Sequence, residues 1–249
     1  MKKFLIIGGD SQLAKSFIKK YPKITISFSK KQCDVTNERI LKKIFKKYSF
    51  HYVLNCAAIT DMEYAEKYPL KSVTVNSFGV YLLNKLCLKY KKKLLHVSSD
   101  YAIDPVNTYG ISKKIGEQFV EKRFHTVRTA FYSKKTYIID QLLKKKKATC
   151  YSNLFFNPIS IDRLIEEIFI NRDSSGIKNY FSNKKISLCQ FTEYVCEAID
   201  LDKKKLIIKT EYKNSQRKLP RKINSYVKSD INVDLKKDLK YFFKKNPYY

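Results

Sequence analysis

Tyr109-Gly110-Ile111-Ser112-Lys113 carries a tyrosine and a lysine four positions apart, and Ser99 lies ten residues upstream of the tyrosine. On a helix such a pair shares one face, so a phenol and an ammonium can flank a single reacting oxygen. Spacing alone does not single the pair out, because Tyr81, Tyr180 and Tyr241 also have a lysine four residues on. Its setting does so: Ser98-Ser99 closes the apolar run Leu94-Leu95-His96-Val97, a short loop follows, and the pentapeptide then opens a helical pattern.

The elements that must position these groups are legible as alternating strand and helix patterns. Strand-like runs occur at Phe4 to Ile7, Ile24 to Phe28, Tyr52 to Cys56, Leu94 to Val97 and Phe124 to Thr129. Between them, apolar residues at three- and four-residue spacing predict helices over Gln12 to Lys20, Glu38 to Lys47, Lys71 to Tyr90 and Ile111 to Lys122. This alternation is the pattern of an α/β fold, a doubly wound parallel sheet of Rossmann-like type. Beyond residue 130 it loosens into a small mixed carboxyl-terminal region, with helices over Ile161 to Ile170, Ser187 to Ala198 and Asp234 to Phe243 and short strands at Lys178 to Phe181 and Lys205 to Lys209. The expected division is a nucleotide-binding domain over 1–130 that carries the reactive residues, and a substrate region over 131–249 interleaved with it. Lys213 to Lys222 reads as an exposed loop, and the final Asn-Pro-Tyr-Tyr as a frayed end.

The first strand runs into Gly8-Gly9-Asp10-Ser11-Gln12-Leu13-Ala14. A dinucleotide-binding turn carries three glycines; here Gly8 supplies the tight turn, while Ser11 and Ala14 are small enough for a pyrophosphate to approach and for helix and strand to pack. The same residues also suit a plain strand end with Ser11 as a helix cap. At the end of the second strand, Ser29-Lys30-Lys31 offers no acid for a ribose hydroxyl, which favours NADPH over NADH. Asp34, in Cys33-Asp34-Val35-Thr36-Asn37, is placed to reach an adenine amino group, and Thr36 or Asn37 to cap the next helix.

Composition sets the outer bounds. The 249 residues include 51 basic against 23 acidic, a formal charge of +28, which favours anionic partners. The lysines are spread along the whole chain rather than gathered into a basic arm, so nucleic acid is not the expected partner. Cys33, Cys56, Cys87, Cys150, Cys189 and Cys196 form no CxxC pair and several sit in apolar runs, which reads as reduced thiols in an intracellular protein. Phe4 to Ile7 is shorter than a signal-peptide core of about 7 to 15 residues, and no apolar run approaches the ~18 that span a bilayer. A cytoplasmic protein with no membrane insertion is expected.

In order, the Gly8 turn, Asp34-Val35-Thr36, Asn55-Cys56-Ala57-Ala58-Ile59-Thr60, Ser98-Ser99-Asp100-Tyr101 and Tyr109xxxLys113 resemble the extended short-chain dehydrogenases/reductases, and among them the dTDP-4-dehydrorhamnose reductase family. The Gln12-Leu13 pair and the Ser-Ser-Asp-Tyr run point to that branch. Val127-Arg128-Thr129, Asn157-Pro158-Ile159-Ser160 and Pro220-Arg221 are thinner matches. The resemblance implies an NADPH-dependent oxidoreductase that reduces the 4-keto group of a nucleotide-linked deoxysugar for surface polysaccharide. It implies Tyr109 as general acid, Lys113 as its electrostatic partner, Ser99 as the hydroxyl on the substrate carbonyl, and Asn76 as the holder of a proton-relay water. Cofactor contacts are implied for Gly8, Ser11, Gln12, Leu13, Ser29, Lys30, Asp34, Val35, Ala57, Ala58, Ile59, Tyr109 and Lys113, and substrate contacts for Thr60, Ser99 and Tyr101.

Ketone reduction leaves negative charge on oxygen, so a proton donor and fixed dipoles must face it. The Lys113 ammonium is expected to lower the Tyr109 pKa from its ordinary ~10. Between Tyr101 and Tyr109 the family carries a longer covering insertion, whereas this chain has only Ala102 to Thr108. That shortening leaves room for a different sugar, for a partner chain or homodimer completing the pocket, or for a non-catalytic regulatory subunit of the same fold.

Overall fold

In the computed structural model, residues 2–213 and 221–247 are described. Most of the Lys213 to Lys222 loop, Pro220 of the Pro220-Arg221 match, and Tyr248 and Tyr249 lie outside them. The elements in chain order are β1 (Phe4–Ile7), α1 (Gln12–Lys20), β2 (Thr25–Phe28), α2 (Glu38–Lys47), β3 (Tyr52–Asn55), α3 (Met62–Lys67), α4 (Pro69–Val73), a π-helical turn (Thr74–Phe78), α5 (Gly79–Lys89), β4 (Lys93–Val97), α6 (Thr108–Gln118) and β5 (His125–Thr129). Then follow β6 (Phe131–Tyr132), α7 (Tyr137–Leu143), β7 (Ala148–Tyr151), β8 (Phe155–Phe156), β9 (Ile159–Ser160), α8 (Ile161–Ile170), β10 (Gly176–Tyr180), β11 (Ile186–Ser187), α9 (Leu188–Ala198), α10 (Lys203–Leu206), β12 (Ile207–Thr210) and α11 (Leu235–Lys245).

β1 is Phe-Leu-Ile-Ile with every residue buried, the pattern of a strand covered on both faces. It pairs in parallel with β2 through Phe4 and Thr25 and with β3 through Phe4 and Tyr52. The sheet runs β10-β5-β4-β3-β1-β2, a doubly wound order that reverses between β1 and β3. Ligands of open α/β sheets bind outside the strand carboxyl ends at such a reversal. The Gly8 turn follows β1 there, and Cys56-Ala57 follows β3. Leu41, Ile44 and Phe45 of α2 and Leu82, Leu83 and Leu86 of α5 pack with Leu5, Ile7, Val53 and Leu94 into one core cluster.

Two compact units emerge: residues 1–128 with 165–178, and residues 129–164 with 179–249. The chain leaves the first unit after Arg128, two residues into Val127-Arg128-Thr129, and returns for the second part of α8. In the second unit, strands of two residues dominate; β6 pairs with β9, β8 with β11, and the longer β7 with β12. Asp238 of α11 is buried there, taking the Ser160 amide at 2.7 Å, the Ser160 hydroxyl at 2.7 Å and the Tyr132 phenol at 2.9 Å.

The expectation of six reduced cysteines is overturned. Cys150 of β7 and Cys189 of α9, 39 positions apart in sequence, form a disulfide with Cα atoms 4.9 Å apart. Strand and helix bring them together across a distance that no local motif encodes. Cys33, Cys56, Cys87 and Cys196 are free thiols. Among the described residues no helix is long and apolar enough to cross a membrane, and no group of acidic, His or Cys side chains has the makings of a metal site.

Candidate active site

The turn after β1 is held by the amides of Gly8 and Gly9, which both donate to Phe28 O at 3.2 and 2.9 Å. Gly8 has φ +85°, and a Cβ there would lie 2.5 Å from Ala57 N, so both its conformation and its neighbours require glycine. A Cβ on Gly9 would collide with Ser27 Oγ. Ser11 caps α1 by accepting the Ala14 amide at 3.1 Å, and no acid stands in the first turn. A glycine turn flush against the β3 end, leading to a helix terminus free of negative charge, fits a dinucleotide's pyrophosphate. Gln12 is exposed on that first turn, while Leu13 is buried in the core at 3 % exposure.

At the end of β2, Ser29 takes the Gln32 side chain on its amide at 2.9 Å, and Lys30 is exposed. Asp34 is half-buried and its Oδ1 is occupied by the Thr36 amide at 2.9 Å and hydroxyl at 2.7 Å. Burial pushes its pKa up, but these hydrogen bonds, with Lys30 and Lys71, bring it below the ordinary value, so it stays an anion. Val35 packs into the core: a Cβ on Gly79 would sit 2.6 Å from its Cγ1. After β3, Asn55 Oδ1 takes the Ala57 amide at 3.1 Å; Ala57, Ala58 and Ile59 are half-buried and Thr60 is exposed.

Asn76 sits in the π-helical turn, fully buried. Its Oδ1 accepts the Ile59 amide at 2.8 Å, and its Nδ2 donates to Ile59 O at 2.9 Å and to Ser112 Oγ at 2.9 Å. The side-chain amide thus ties the post-β3 loop to α6. Asn157, in the second unit, likewise donates to Ser182 O at 2.9 Å and Val227 O at 2.8 Å.

α6 begins at Thr108 because Asn107 caps it, accepting the Gly110 amide at 2.9 Å. Tyr109 therefore lies in its first turn and Lys113 one turn on, with Ser99 just past β4. Ser99 Oγ donates to Asp100 Oδ1 at 2.8 Å and its side chain also hydrogen-bonds the Tyr109 phenol. The Tyr109 ring is partly exposed and 6.0 Å from the Tyr101 ring, but its hydroxyl end is enclosed. That burial pushes the phenol up to about 12; the Ser99 bond lowers it, and Asp100 and Tyr101 raise it. This corrects the expectation of a lowered phenol: enclosure outweighs the Ser99 hydrogen bond. Lys113 is 2 % exposed and donates to Val97 O at 2.7 Å. Burial pulls it down to about 8, opposed by Glu117 and Cys56.

Two residues escaped the sequence reading. Glu117, one turn beyond Lys113, holds Ser98 Oγ at 2.5 Å and Arg128 Nη2 at 2.6 Å. Its place at i+4 from Lys113 on one helix face was an available signal. Glu66 of the unforeseen α3 takes the Thr108 amide at 2.6 Å and hydroxyl at 2.9 Å, anchoring the start of α6; nothing local in the sequence marks that contact.

A profile of the family described as RmlD substrate binding domain matches residues 1–146, more than half the chain. The chain belongs to that family. Within this RmlD family, it is similar to a dTDP-4-dehydrorhamnose reductase of Mycolicibacterium smegmatis, 33% identical over 124 residues that cover 43% of this chain and 37% of the relative. A second relative of that name, from Aggregatibacter actinomycetemcomitans, is 29% identical over 140 residues, covering 48% of this chain and 47% of the relative. The matched part thus spans less than half the length of either. A Bacillus anthracis dTDP-4-dehydrorhamnose reductase, solved in complex with NADP, superposes with a TM-score of 0.88 at 20% identity, covering 98% of this chain and 100% of that one. That likeness gives the RmlD-family chain its fold: a Rossmann-like parallel sheet flanked by helices.

Proposed function

We propose that this RmlD-family protein is an NADPH-dependent reductase, with NADH as a weaker alternative, that reduces the 4-keto group of a nucleotide-linked deoxysugar during polysaccharide synthesis in the cytoplasm. The observation that carries this reading is the meeting of Ser99, Tyr109 and Lys113 at the carboxyl end of β4, beside the glycine turn of β1 and the loop that Asn76 clamps. Gly8, Ser11 and the first turn of α1 would hold the pyrophosphate, and Ser29 and Lys30, with no acid beside them, the 2'-phosphate end. Bound there, the reduced nicotinamide supplies the hydride.

The chain's own residues do the rest. Tyr109, with a phenol at about 12, carries its proton throughout the neutral range and is poised to give it to a carbonyl oxygen that gains charge. Ser99, once its hydroxyl turns from Asp100, would offer a second hydrogen bond to that oxygen, and Tyr101 and Thr60 would line the approach. Lys113, a cation below about 8, steadies the developing charge and the ribose beside it. The test is to mix the protein with NADPH and a panel of 4-keto-6-deoxy nucleotide sugars and follow nicotinamide absorbance. Turnover of one or more substrates is expected. Tight NADPH binding with no turnover on any would replace the reductase by a regulatory subunit.

A further inference from the structure

The Glu117 carboxylate is wholly enclosed, with none of its side chain exposed. An enclosed charge is costly unless it is paired and hydrogen-bonded, and here both oxygens are engaged. Arg128 of β5 approaches side-on, Nε at 2.9 Å from Oε1 and 3.2 Å from Oε2, Nη2 at 2.6 Å from Oε2. Ser98 donates to Oε1 at 2.5 Å. Ser98 is the pivot: Val97, the residue before it, gives its carbonyl to Lys113, and Ser99, the residue after it, presents its hydroxyl to Tyr109. One carboxylate therefore grips the point of the chain from which two reactive side chains are held.

We propose that Glu117, braced by Arg128, is a positioning residue: it fixes the Val97-Ser98-Ser99 strand end and sets a buried negative charge one helical turn from Lys113. The proposal rests on the reductase reading for its kinetic consequence but not for its electrostatic one. Lys113 is faced by Glu117 on its own helix, by Cys56 after β3, and by His96 on β4, whose imidazole burial keeps neutral. Burial pushes the Cys56 thiol up to about 12, so it too is uncharged near neutrality. That leaves Glu117 as the charge acting on the lysine, and Arg128 as the partner that balances Glu117.

The two partners must then act in opposite directions. Glu117→Gln leaves Arg128 unbalanced and lowers the Lys113 midpoint by about one unit; Arg128→Gln leaves Glu117 unbalanced and raises it. Ser98→Ala alters no charge, so the midpoint stays, yet it frees the strand end and lowers kcat by about tenfold with little change in KM. The midpoint is read directly by carbon NMR of the lysine Cε in the full-length protein, with Lys113→Met to assign the signal. Opposite shifts in the two charge variants support the proposal; shifts of the same sign, or none, overturn it. If Glu117→Gln does not fold, Arg128→Gln and Ser98→Ala still decide. Because the NMR measurement needs no substrate, opposite shifts in a protein that turns nothing over would refute the reductase and leave the electrostatic brace standing.

Discussion

Gly8 and Gly176 are both glycines at positive φ, +85° and +72°, but their surroundings differ, and the difference isolates what the Gly8 turn is for. An alanine at either site pays the left-handed conformational penalty, about 1–2 kcal/mol. Part of that is offset by the stiffer unfolded chain, about 0.4–1 kcal/mol. At Gly176 nothing lies within 4 Å of the added Cβ, so Gly176→Ala should cost about 1 kcal/mol or less and nothing further. At Gly8 the Cβ would meet Ala57 N at 2.5 Å, Ala57 Cα at 2.6 Å and Cys56 C at 2.7 Å, all backbone atoms that cannot rotate away. Overpacking of that kind adds about 1–3 kcal/mol, for a total of about 2–4. Relief can come only by moving the turn off β3, the place assigned to the pyrophosphate. Urea unfolding should therefore separate the two variants by at least about 1 kcal/mol, and fluorescence titration should show NADPH binding about tenfold or more weaker in Gly8→Ala alone. Equal destabilisation would refute the contact argument; unchanged NADPH affinity in a destabilised Gly8→Ala would refute the turn as the cofactor cradle.

Tyr109→Phe should lower kcat by about 10²- to 10⁴-fold while the NADPH dissociation constant barely moves, as followed by absorbance and fluorescence; an active variant would move the acid elsewhere. Lys113 has its folded value at about 8, below the ordinary 10.5. Below 8 both states carry the proton, and between 8 and 10.5 only the unfolded chain does, so this residue's contribution to stability rises with pH across that window. Activity runs the other way and falls above about 8 as the ammonium is lost. Comparing wild type with Lys113→Met by urea unfolding at both ends of the window checks the sign, and a falling difference would contradict it. Reducing the Cys150–Cys189 bridge, which closes a 39-residue separation, should cost about 4 kcal/mol on chain entropy; an unfolding midpoint unmoved by reductant would argue against the bridge.

The sheet was legible because its strands are short runs of buried apolar residues between amphipathic helices. α1, α2 and α8 fall at the residues the periodicity predicts, and β2 starts one residue late only because Pro22–Ile24 form a 3-10 turn. The single helix expected over Lys71 to Tyr90 is α4, a π-helical turn and α5, since periodicity does not register one extra residue in a turn. The second unit was largely illegible for a physical reason. β6, β8, β9 and β11 have two residues each, too few for any alternation, and their pairing is set by partners far along the chain. At the site, residue types marked Ser99, Tyr109 and Lys113, yet the partners that give them their properties come from other elements. Val97 O for Lys113 and Ile59 for Asn76 are backbone groups, which carry no sequence signal at all.

The seven residues between Tyr101 and Tyr109 look in the sequence like a lid cut away; folded, they form a tether. Ser99 caps the 3-10 turn Asp100–Ala102, and the chain then doubles back so closely that a Cβ on Gly110 would lie 2.7 Å from Tyr101 O and 3.0 Å from Pro105 Cβ. Asn107 caps α6 from the inside and Glu66 takes the amide and hydroxyl of Thr108 from α3. Tyr109 is consequently fixed from both sides of its own backbone. A longer insertion could cover a substrate, but it would loosen this registration of the phenol against Ser99. The short connection holds the Tyr109 phenol against Ser99.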